Sequence, residues 1–442
     1  MRSIPIVLAL SAGALAVIAC SSADDEPTTS FAPDAGPGPS LPPPSTSADA
    51  SEAPPVDAAP PVDAGPPRRL EVECAPDAEG PCYRSVSGNG GRHYCGLVAD
   101  GTVRCWGRDS LSSLTSTIDG GVVPTNDGAL GRGALTTALV GATPAPVVGL
   151  EDVTQISVGP NLGTCARTSN GSVYCWGRND FGQLGRPRAE ARLPLPTLVE
   201  GLPPVDEVAL GYRTACAITT GDRSLHCWGD TTINIGADAG GTNTFAPQLV
   251  GSIRAPVKAL AIGTWTTNLD TIIALVDGNV LQSIGAFPAG ENIVQASTTR
   301  PRELPDVTAI GAFAYVSDGL LLRWRPEPGT LYIPSSAEVV QVAISGANSG
   351  IEQGGALLAG GRLFRWGVNE GGALGMAPEN LLSSKHPLEM PISKVVSFAT
   401  TDRSTCASLV DGKIVCWGGN VHGELGRGTM DSYAHPSAEE IR

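Results

Sequence analysis

The sequence predicts an all-β fold: a seven-bladed β-propeller of four-stranded blades, preceded by a signal peptide and a disordered proline-rich tether. Glycine (55 residues) and proline (37) are frequent, and aromatic residues make up only 5% of the 442-residue chain. That composition is typical of many short strands joined by turns. A unit of four short apolar runs also recurs seven times beyond residue 70. Units of roughly 40–50 residues with four strands each are typical of propeller blades.

The repeat is clearest between residues 146 and 185, where it contains the triplet Cys175-Trp176-Gly177 and the element Gly182-Gln-Leu-Gly185. The tryptophan position recurs at steps of 70, 52, 55, 41, 42 and 51 residues and is filled by Trp106, Trp176, Trp228, Ser283, Trp324, Trp366 and Trp417. The Gly-x-Leu-Gly element also occurs at Gly128–Gly131, Gly372–Gly375 and Gly423–Gly426. We predict that the repeated tryptophans pack in the cores of the blades.

These motifs resemble the regulator of chromosome condensation repeat family, over about residues 70–442. The resemblance is strongest at 165–185 and 406–426 and weak at 263–290 and 311–330, where Ser283, Ile284 and Arg325 replace Trp or Gly. It implies a seven-bladed propeller. Activities within the family differ: a nuclear member exchanges nucleotide on a small GTPase, and a secreted bacterial member of similar fold inhibits β-lactamases. The resemblance therefore implies a fold and not a function.

The carboxyl-terminal segment His435–Ile441 matches the segments around Pro146 and Pro247 in earlier repeats. We predict that it is a last strand that completes a blade begun near the amino end. Closing the ring in this way would remove exposed sheet edges.

The amino terminus predicts export. Residues 1–19 have the form of a signal peptide, because a positive residue precedes an apolar stretch, Ile4–Ile18, that is too short to cross a bilayer at about 20 residues. Val17-Ile18-Ala19-Cys20 resembles the bacterial lipobox, which implies cleavage before Cys20 and its lipidation. The alternative is an ordinary secretory signal followed by an unrelated cysteine. The same resemblance implies the outer membrane or cell surface, because Ser21 stands where some lipoproteins have the aspartate that retains them in the inner membrane. Membrane contact is then expected through the lipid anchor only.

Residues 20–69 are predicted to be a disordered linker that starts at the lipidated cysteine. Thirteen prolines lie between residues 21 and 69, among Ser, Ala, Asp and Gly. Such a segment has little to bury, and as polyproline II it would reach on the order of 150 Å. The propeller is then expected over residues 70–442.

Ten cysteines remain once Cys20 is set aside, an even number in an exported chain. In the three repeats without cysteine both positions change together, which indicates bonded pairs, and a Gly-containing turn would place each pair directly opposite. Cys74 and Cys82 pair by elimination. A zinc site or a reactive thiol is the rival interpretation, but spacings of ten residues are unlike those of zinc sites. The predicted disulfides are Cys95–Cys105, Cys165–Cys175, Cys216–Cys227, Cys406–Cys416 and Cys74–Cys82.

Charge and motif content argue against several functions. The net charge is −15 and there is no Lys/Arg cluster, so we expect no nucleic-acid partner. The five histidines show no metal spacing, and no nucleophile or phosphate-loop motif occurs. We therefore predict no catalytic residues, no metal, no cofactor and no enzymatic activity.

The loops that follow the inner strand and the Trp-Gly pair should share one face of the propeller, because strand direction alternates. That face also receives the long insertion between Gly107 and Gly128. Exposed Trp, Tyr and Arg dominate binding hot spots. Alternatively, Tyr212, Trp265 and Phe313 plug the mouth of the channel. The residues predicted for this binding face are Arg92, His93, Asn161, Tyr212, Arg213, Trp265, Phe313, Asp402 and Arg403.

These observations predict a non-enzymatic, surface-exposed lipoprotein that binds or scaffolds a protein partner, or a glycan, through its loop face. We expect a monomer. Two alternatives remain: an envelope glycan hydrolase or lyase on a propeller scaffold, and a purely structural envelope protein.

Overall fold

Short apolar runs and glycine turns form consecutive antiparallel sheets in a computed structural model of the chain. All described residues belong to one compact unit, Asp63–Arg442. No helix among them is long and apolar enough to cross a membrane. The structure describes residues 69–76, 80–109, 115–118, 121–124, 127–133, 141–230, 244–253, 256–264, 269–277, 280–289, 292–296, 302–303, 307–310, 314–317, 320–323, 330–331, 339–345 and 353–442.

The first three sheets follow the chain order of the repeats. Sheet 1 comprises β1 (Tyr83–Gly88), β2 (His93–Val98), β3 (Val103–Gly107) and β6 (Ala145–Pro146), with a separate hairpin of β4 (Thr115–Ile118) and β5 (Gly121–Pro124). Sheet 2 comprises β7 (Val153–Val158), β8 (Gly163–Thr168), β9 (Val173–Arg178) and β10 (Arg192–Leu198). Sheet 3 comprises β11 (Val205–Leu210), β12 (Thr214–Thr219), β13 (Leu225–Gly229) and β14 (Thr244–Leu249).

The remaining sheets continue this order to the carboxyl terminus. Sheet 4 comprises β15 (Val257–Thr264), β16 (Asp270–Val276), β17 (Val280–Ala289), β18 (Asn292–Ala296) and β19 (Arg302–Glu303). Sheet 5 comprises β20 (Val307–Ile310), β21 (Ala314–Ser317), β22 (Leu320–Arg323) and β23 (Thr330–Leu331). Sheet 6 comprises β24 (Val339–Ser345), β25 (Gln353–Leu358), β26 (Leu363–Val368) and β27 (Ser383–Glu389), with a 3-10 turn at Glu370–Gly372. Sheet 7 comprises β28 (Val395–Thr400), β29 (Ser404–Leu409), β30 (Ile414–Asn420) and β31 (Asp431–Glu440).

The structure is an all-β propeller whose blades have four strands, and six sheets take this form rather than the seven predicted. Sheet 4 has five strands instead of four, because its third strand, β17, is ten residues long and pairs with both β18 and β19. In the regular repeats the glycine after tryptophan has a positive φ, such as 99° at Gly177 and 108° at Gly418. Ile284 stands at that position in sheet 4, and a β-branched residue does not adopt such a φ. The strand therefore continues where the others end.

The ring closes through its first strands. β1, β7, β11, β15, β20, β24 and β28 each pack beside the next, and β28 packs beside β1. Val86 N donates to Ser397 Oγ at 3.0 Å across this last junction, and Asn89 forms a parallel bridge with Thr400.

The prediction that the tail completes a blade begun near the amino end is wrong. β31 pairs with β30, so the tail is the outer strand of sheet 7, which is built from residues 395–440. Sheet 1 receives its own outer strand, β6, from Ala145–Pro146. Every sheet is therefore contiguous in sequence, and side-chain and backbone contacts between sheets close the ring instead of a shared strand.

Adjacent sheets are joined by the repeated tryptophans. In four of them the indole Nε1 donates to the carbonyl of residue x in the Gly-x-Leu-Gly element of the preceding sheet: Trp106 to Glu424 (2.9 Å), Trp176 to Ala129 (3.0 Å), Trp228 to Gln183 (3.0 Å) and Trp417 to Ala373 (3.1 Å). A Cβ on Gly131, the last glycine of the element, would lie 2.9 Å from Trp176 Nε1. The predicted core role of the tryptophans was incomplete, since they pack and also bond across sheets.

A side chain three residues after the tryptophan hydrogen-bonds to the leucine N–H of the Gly-x-Leu-Gly element that follows it. Asn179 Oδ1 accepts from Leu184 N at 2.9 Å, and Asn369 Oδ1 accepts from Leu374 N at 2.8 Å. Asn420 does the same with Leu425 N at 3.2 Å. In sheet 1 the position is Asp109, whose Oδ1 accepts from Leu130 N at 2.9 Å, and burial raises its pKa to about 6. The Gly-x-Leu-Gly carbonyl is therefore held toward the incoming indole.

Disulfides are present, as predicted. Four lie across the second and third strands of sheets 1, 2, 3 and 7, where the cysteines are direct partners with Cα atoms 4.0–4.2 Å apart. The fifth joins Cys74 to Cys82 with a Cα separation of 5.8 Å. Glu73 N donates to Val410 O and Tyr83 N to Gly412 O, both at 2.7 Å, so this first segment is fastened to sheet 7.

Replacing Trp176 by Phe should destabilise the protein more than replacing Trp366 by Phe. Both indoles are buried, but Trp366 Nε1 has no hydrogen-bond partner among the described residues, and no Gly-x-Leu-Gly follows Trp324. Trp176→Phe leaves a buried carbonyl without its donor, which costs about 1–3 kcal/mol beyond the lost packing that both variants share. Guanidinium unfolding with disulfides intact measures the difference, and equal losses in the two variants would contradict the inter-sheet bond.

Candidate binding face

The loop face gathers around the end of the central channel. A cavity of about 230 Å³ lies among the carboxyl ends of the first strands, lined by Asn89, Val158, Leu210, Ile262, Ile344 and Thr400 among others. The loops that follow these strands carry the predicted binding residues. The cavity and those loops therefore belong to the same end of the propeller.

Three of the predicted residues form an ionic chain where sheets 1, 6 and 7 meet. Arg92 Nη2 lies 2.8 Å from Asp402 Oδ2, and Arg403 Nη2 lies 2.7 Å from Glu370 Oε1. His422 Nε2 is 3.3 Å from Arg92 Nη1. Burial, with Arg108 and Arg92 nearby, lowers the pKa of His422 to about 4. Neither Glu370 nor His422 was identified from the sequence, because their loops differ from repeat to repeat.

Two predicted residues are covered. His93 is fully buried with Nε2 2.9 Å from Thr164 Oγ1, and burial lowers its pKa to about 4. Asn161 is only 2% exposed. The His93 side chain lies in the junction between sheets 1 and 2, and neither side chain presents surface to a partner in this structure.

Tyr212 and Arg213 belong to an aromatic and cationic cluster on the loops of sheets 2 and 3. The Tyr212 and Phe181 ring centroids are 5.9 Å apart, and the guanidinium carbon of Arg213 lies 4.6 Å from the Phe181 centroid. The Arg188 guanidinium carbon lies 5.5 Å from the same centroid, and Arg213 Nη1 is 3.2 Å from Asp230 Oδ2. Phe181, Tyr212 and Arg213 are half-buried, and Arg188 is exposed. Phe181, in the loop after Trp176-Gly177, was missed because it occurs in one repeat only.

Trp265 and Phe313 lie outside the described residues, as does Cys20. The proposal that these two aromatic residues bind a partner or plug the channel therefore stays a prediction. The Tyr212 ring, by contrast, packs on Phe181 of the adjacent sheet.

A buried carboxylate holds the Tyr212 loop in place. Asp270 accepts hydrogen bonds from the backbone N–H groups of Tyr212 (2.9 Å), Arg213 (2.7 Å) and Thr214 (2.9 Å), and from Thr264 Oγ1 (2.6 Å). Burial raises the pKa of Asp270, and these four donors oppose that change. Since Asp270 begins β16 of sheet 4, it fixes a binding loop of sheet 3 from the neighbouring sheet.

Another carboxyl group lies under the ionic chain. Glu424 is 1% exposed and its Oε2 accepts from His422 N at 2.6 Å, and burial raises its pKa to about 7. Both carboxyl groups are occupied by backbone donors. Among the residues that the structure describes, no group of three His, Cys, Asp or Glu side chains is placed to hold a metal ion.

A closed ring of antiparallel sheets, joined by indole–carbonyl bonds and carrying irregular loops at one channel end, defines a β-propeller of the repeat-built class. Family models described as the regulator of chromosome condensation (RCC1) repeat match residues 170–218, and residues 84–111 and 153–183. These repeat matches and the fold support the RCC1 repeat family of β-propellers for this chain.

Solved structures share the fold. Prp20p from Saccharomyces cerevisiae has a TM-score of 0.62 and 18% identity, covering 78% of this chain and 87% of Prp20p. Human WBSCR16 has a TM-score of 0.56 and 18% identity, covering 68% of this chain and 85% of that chain. Identity at this level shows a common fold alone.

Curated relatives are similar over part of their length. The E3 ubiquitin-protein ligase HERC2 of Mus musculus is 24% identical over 339 residues, which is 75% of this chain and 6% of the ligase. A secretion-regulating guanine nucleotide exchange factor of Bos taurus is 24% identical over 267 residues, 59% of this chain and 51% of the factor. The chain thus spans a small part of the ligase and about half of the exchange factor.

Asp270→Ala should loosen the Tyr212 loop and lower the free energy of unfolding by about 3 kcal/mol or more, because it leaves three buried backbone donors without an acceptor. Asp270→Asn is the matched control, since it keeps one acceptor oxygen in the same place and should cost less. Denaturant unfolding gives the stabilities, and amide exchange of residues 211–214 reports the loop. Unchanged protection of that loop in Asp270→Ala would show that the carboxylate does not hold it.

Proposed function

We propose that this protein is a non-enzymatic binding or scaffold propeller that presents its loop face to a protein partner. The observation that carries the proposal is the cluster of Phe181, Tyr212, Arg188 and Arg213 on loops fixed by buried carboxylate and indole bonds. Aromatic and arginine side chains on a rigid surface are the usual centres of binding energy. Their fixed position reduces the ordering cost of association.

Similar propellers support a protein ligand rather than a small molecule. The Prp20p structure is described together with its binding to Gsp1p and histones, and Kap60 has been crystallised bound to yeast RCC1 (Prp20). Those partners belong to those proteins. For this chain they favour the general class, a folded protein or a peptide segment.

The architecture and location complete the proposal. We assign the five-stranded sheet 4 as the seventh blade, because its first strand packs between those of sheets 3 and 5.

The lipobox at Val17–Cys20 and the proline-rich linker favour an exported monomer that is lipid-anchored to the cell envelope, at the outer membrane or cell surface.

The alternative of a glycan hydrolase or lyase would need carboxylates that converge on an open site. The cavity lining among the described residues is Gly, Asn, Ser, Thr and aliphatic side chains. Asp270 and Glu424 are buried against backbone donors instead. These features favour binding over hydrolysis, and a purely structural envelope role stays the other alternative.

A photo-crosslinking residue at position 212 should capture a partner on intact cells, identified by mass. The same residue at position 411, on the opposite hairpin face, is the control and should capture much less. For the partner so identified, Tyr212→Ala and Phe181→Ala should each weaken binding by about 1–2 kcal/mol, roughly five- to thirtyfold, with little change in melting temperature. Equal crosslinking at both positions, or full affinity in both variants, would contradict the loop face as the site.

Metabolic labelling with a fatty-acid analogue should tag the wild-type protein, and Cys20→Ser should abolish the tag, because the lipobox cysteine carries the acyl chains. Fractionation should move the Cys20→Ser protein from the membrane to the soluble fraction. An untagged wild-type protein released to the medium would refute the anchor without bearing on the binding face.

A further inference from the structure

Glutamine side chains link first strands of neighbouring sheets. Gln155 in β7 donates from Nε2 to Val208 O at 3.2 Å and accepts from Val208 N at 2.9 Å. Gln341 in β24 makes the same pair with Phe398, donating to its carbonyl at 2.9 Å and accepting from its N–H at 3.3 Å. Each amide therefore pairs with both backbone groups of one residue, as a neighbouring strand would. The pair joins sheet 2 to sheet 3, and sheet 6 to sheet 7.

Glu207 occupies the same position in sheet 3. In the first strands of sheets 2, 3 and 6 the pairing register with the second strand shifts directly after a buried valine. Gln155, Glu207 and Gln341 each lie two residues after that valine. Leu260 in β15 corresponds to Val208 and Phe398, each three residues after the valine that starts its strand. Leu260 N donates to Glu207 Oε1 at 3.4 Å. The accepting half of the link is thus present between sheets 3 and 4.

The donating half depends on a proton. A carboxylate has no hydrogen to give to the Leu260 carbonyl, whereas a neutral carboxylic acid has one O–H donor and matches the amide of glutamine. We propose that Glu207 is a proton-dependent link between sheets 3 and 4, complete when the carboxyl group is protonated and half-formed when it is ionised.

Burial raises the pKa of Glu207 from its ordinary 4.5 to about 7. The Leu260 N–H that donates to Glu207 opposes this rise, and so do the positive groups that face it, Arg223 and Arg167. Arg223 is already bonded to Asp206 at 2.8 Å and to the Val257 carbonyl at 2.7 Å, and Arg167 donates to the Val205 carbonyl at 3.4 Å. On the β15 side, Lys258 pairs with Asp277 at 3.6 Å. None of these ion pairs includes Glu207, so the proton is the means of neutralising it.

The direction of the effect follows from linkage. Because the folded protein holds this proton more tightly than the unfolded chain does, the stabilisation from Glu207 is complete below pH about 4.5. It declines as pH rises, and it is lost above pH about 7. Leu260 also lines the central cavity, so mildly acidic medium holds that side of the cavity wall more firmly than alkaline medium does.

Glu207→Gln in the full chain tests the link. The variant should melt about 2 °C or more above the wild type at pH 8, because each kcal/mol shifts the melting temperature by about that amount in a large domain. Near pH 5 the two proteins should melt together. Gln155→Glu is the matched control, which should introduce the same pH sensitivity at the junction of sheets 2 and 3.

Two further measurements keep the outcomes distinct. The wild-type Glu207 carboxyl should titrate near pH 7 by ¹³C NMR, and the ¹³C shift of the Leu260 carbonyl should change across that titration but not in Glu207→Gln, because the bond to this carbonyl is the half that ionisation removes. A Glu207 titration at its ordinary value, or parallel melting profiles for wild type and Glu207→Gln across pH 5–8, would overturn the proposal. The proposed partner plays no part in either result.

Discussion

The hydrogen bond that four of the repeated indoles donate to the preceding sheet is the interaction on which the rest of the propeller depends. It requires a tryptophan at the end of the third strand, a glycine next to it that can take a positive φ, and a carbonyl presented by the Gly-x-Leu-Gly turn. Each bond is worth only about 1 kcal/mol net, but each buried partner is costly to leave unpaired. The four bonds form where all three elements are present, and the pattern is lost in sheet 4. There, Ser283 and Ile284 replace Trp-Gly, and the third strand extends to support a fifth.

The cysteine positions show how the same site can be filled in other ways. Where both cysteines are absent in sheet 6, Gly355 and Arg365 stand opposite each other. Arg365 is fully buried, with Nη1 2.7 Å from Thr405 Oγ1 of sheet 7, and burial lowers its pKa to about 10. In place of the disulfide that other sheets have between their second and third strands, sheet 6 therefore has a hydrogen bond to sheet 7. The residue opposite Arg365 is Gly355, and a Cβ at that position would lie 2.9 Å from Arg365 Cδ, so a larger residue would crowd the arginine.

Local pairing was predictable from the residues, and contacts between distant parts of the chain were not. A Gly-containing turn sets the register of one hairpin, so opposed cysteines could be inferred from their spacing. Closure of the ring depends on the contact between β1 (residues 83–88) and β28 (residues 395–400), and the repeat pattern does not encode that contact. The tail was therefore assigned to the wrong sheet. Phe181, Glu370 and His422 stand between the asparagine and the Gly-x-Leu-Gly element of a recurrent turn, at positions whose residues differ from repeat to repeat. Asp270 lies two residues before Ile272, which stands at the cysteine position of its repeat. Its role as a hydrogen-bond acceptor could not be predicted from the sequence, because its donors belong to a loop of the neighbouring sheet.

The outer strands bear on how a partner can dock. A sheet edge with unpaired N–H groups invites pairing with another chain, and proline removes one such donor. Five outer strands contain proline: Pro146 in β6, Pro194 and Pro196 in β10, Pro247 in β14, Pro387 in β27 and Pro436 in β31. Strand addition at the rim is thus disfavoured in the repeats that follow the consensus most closely. At the ends of the ring the loops vary, while the scaffold beneath them is held by repeated bonds.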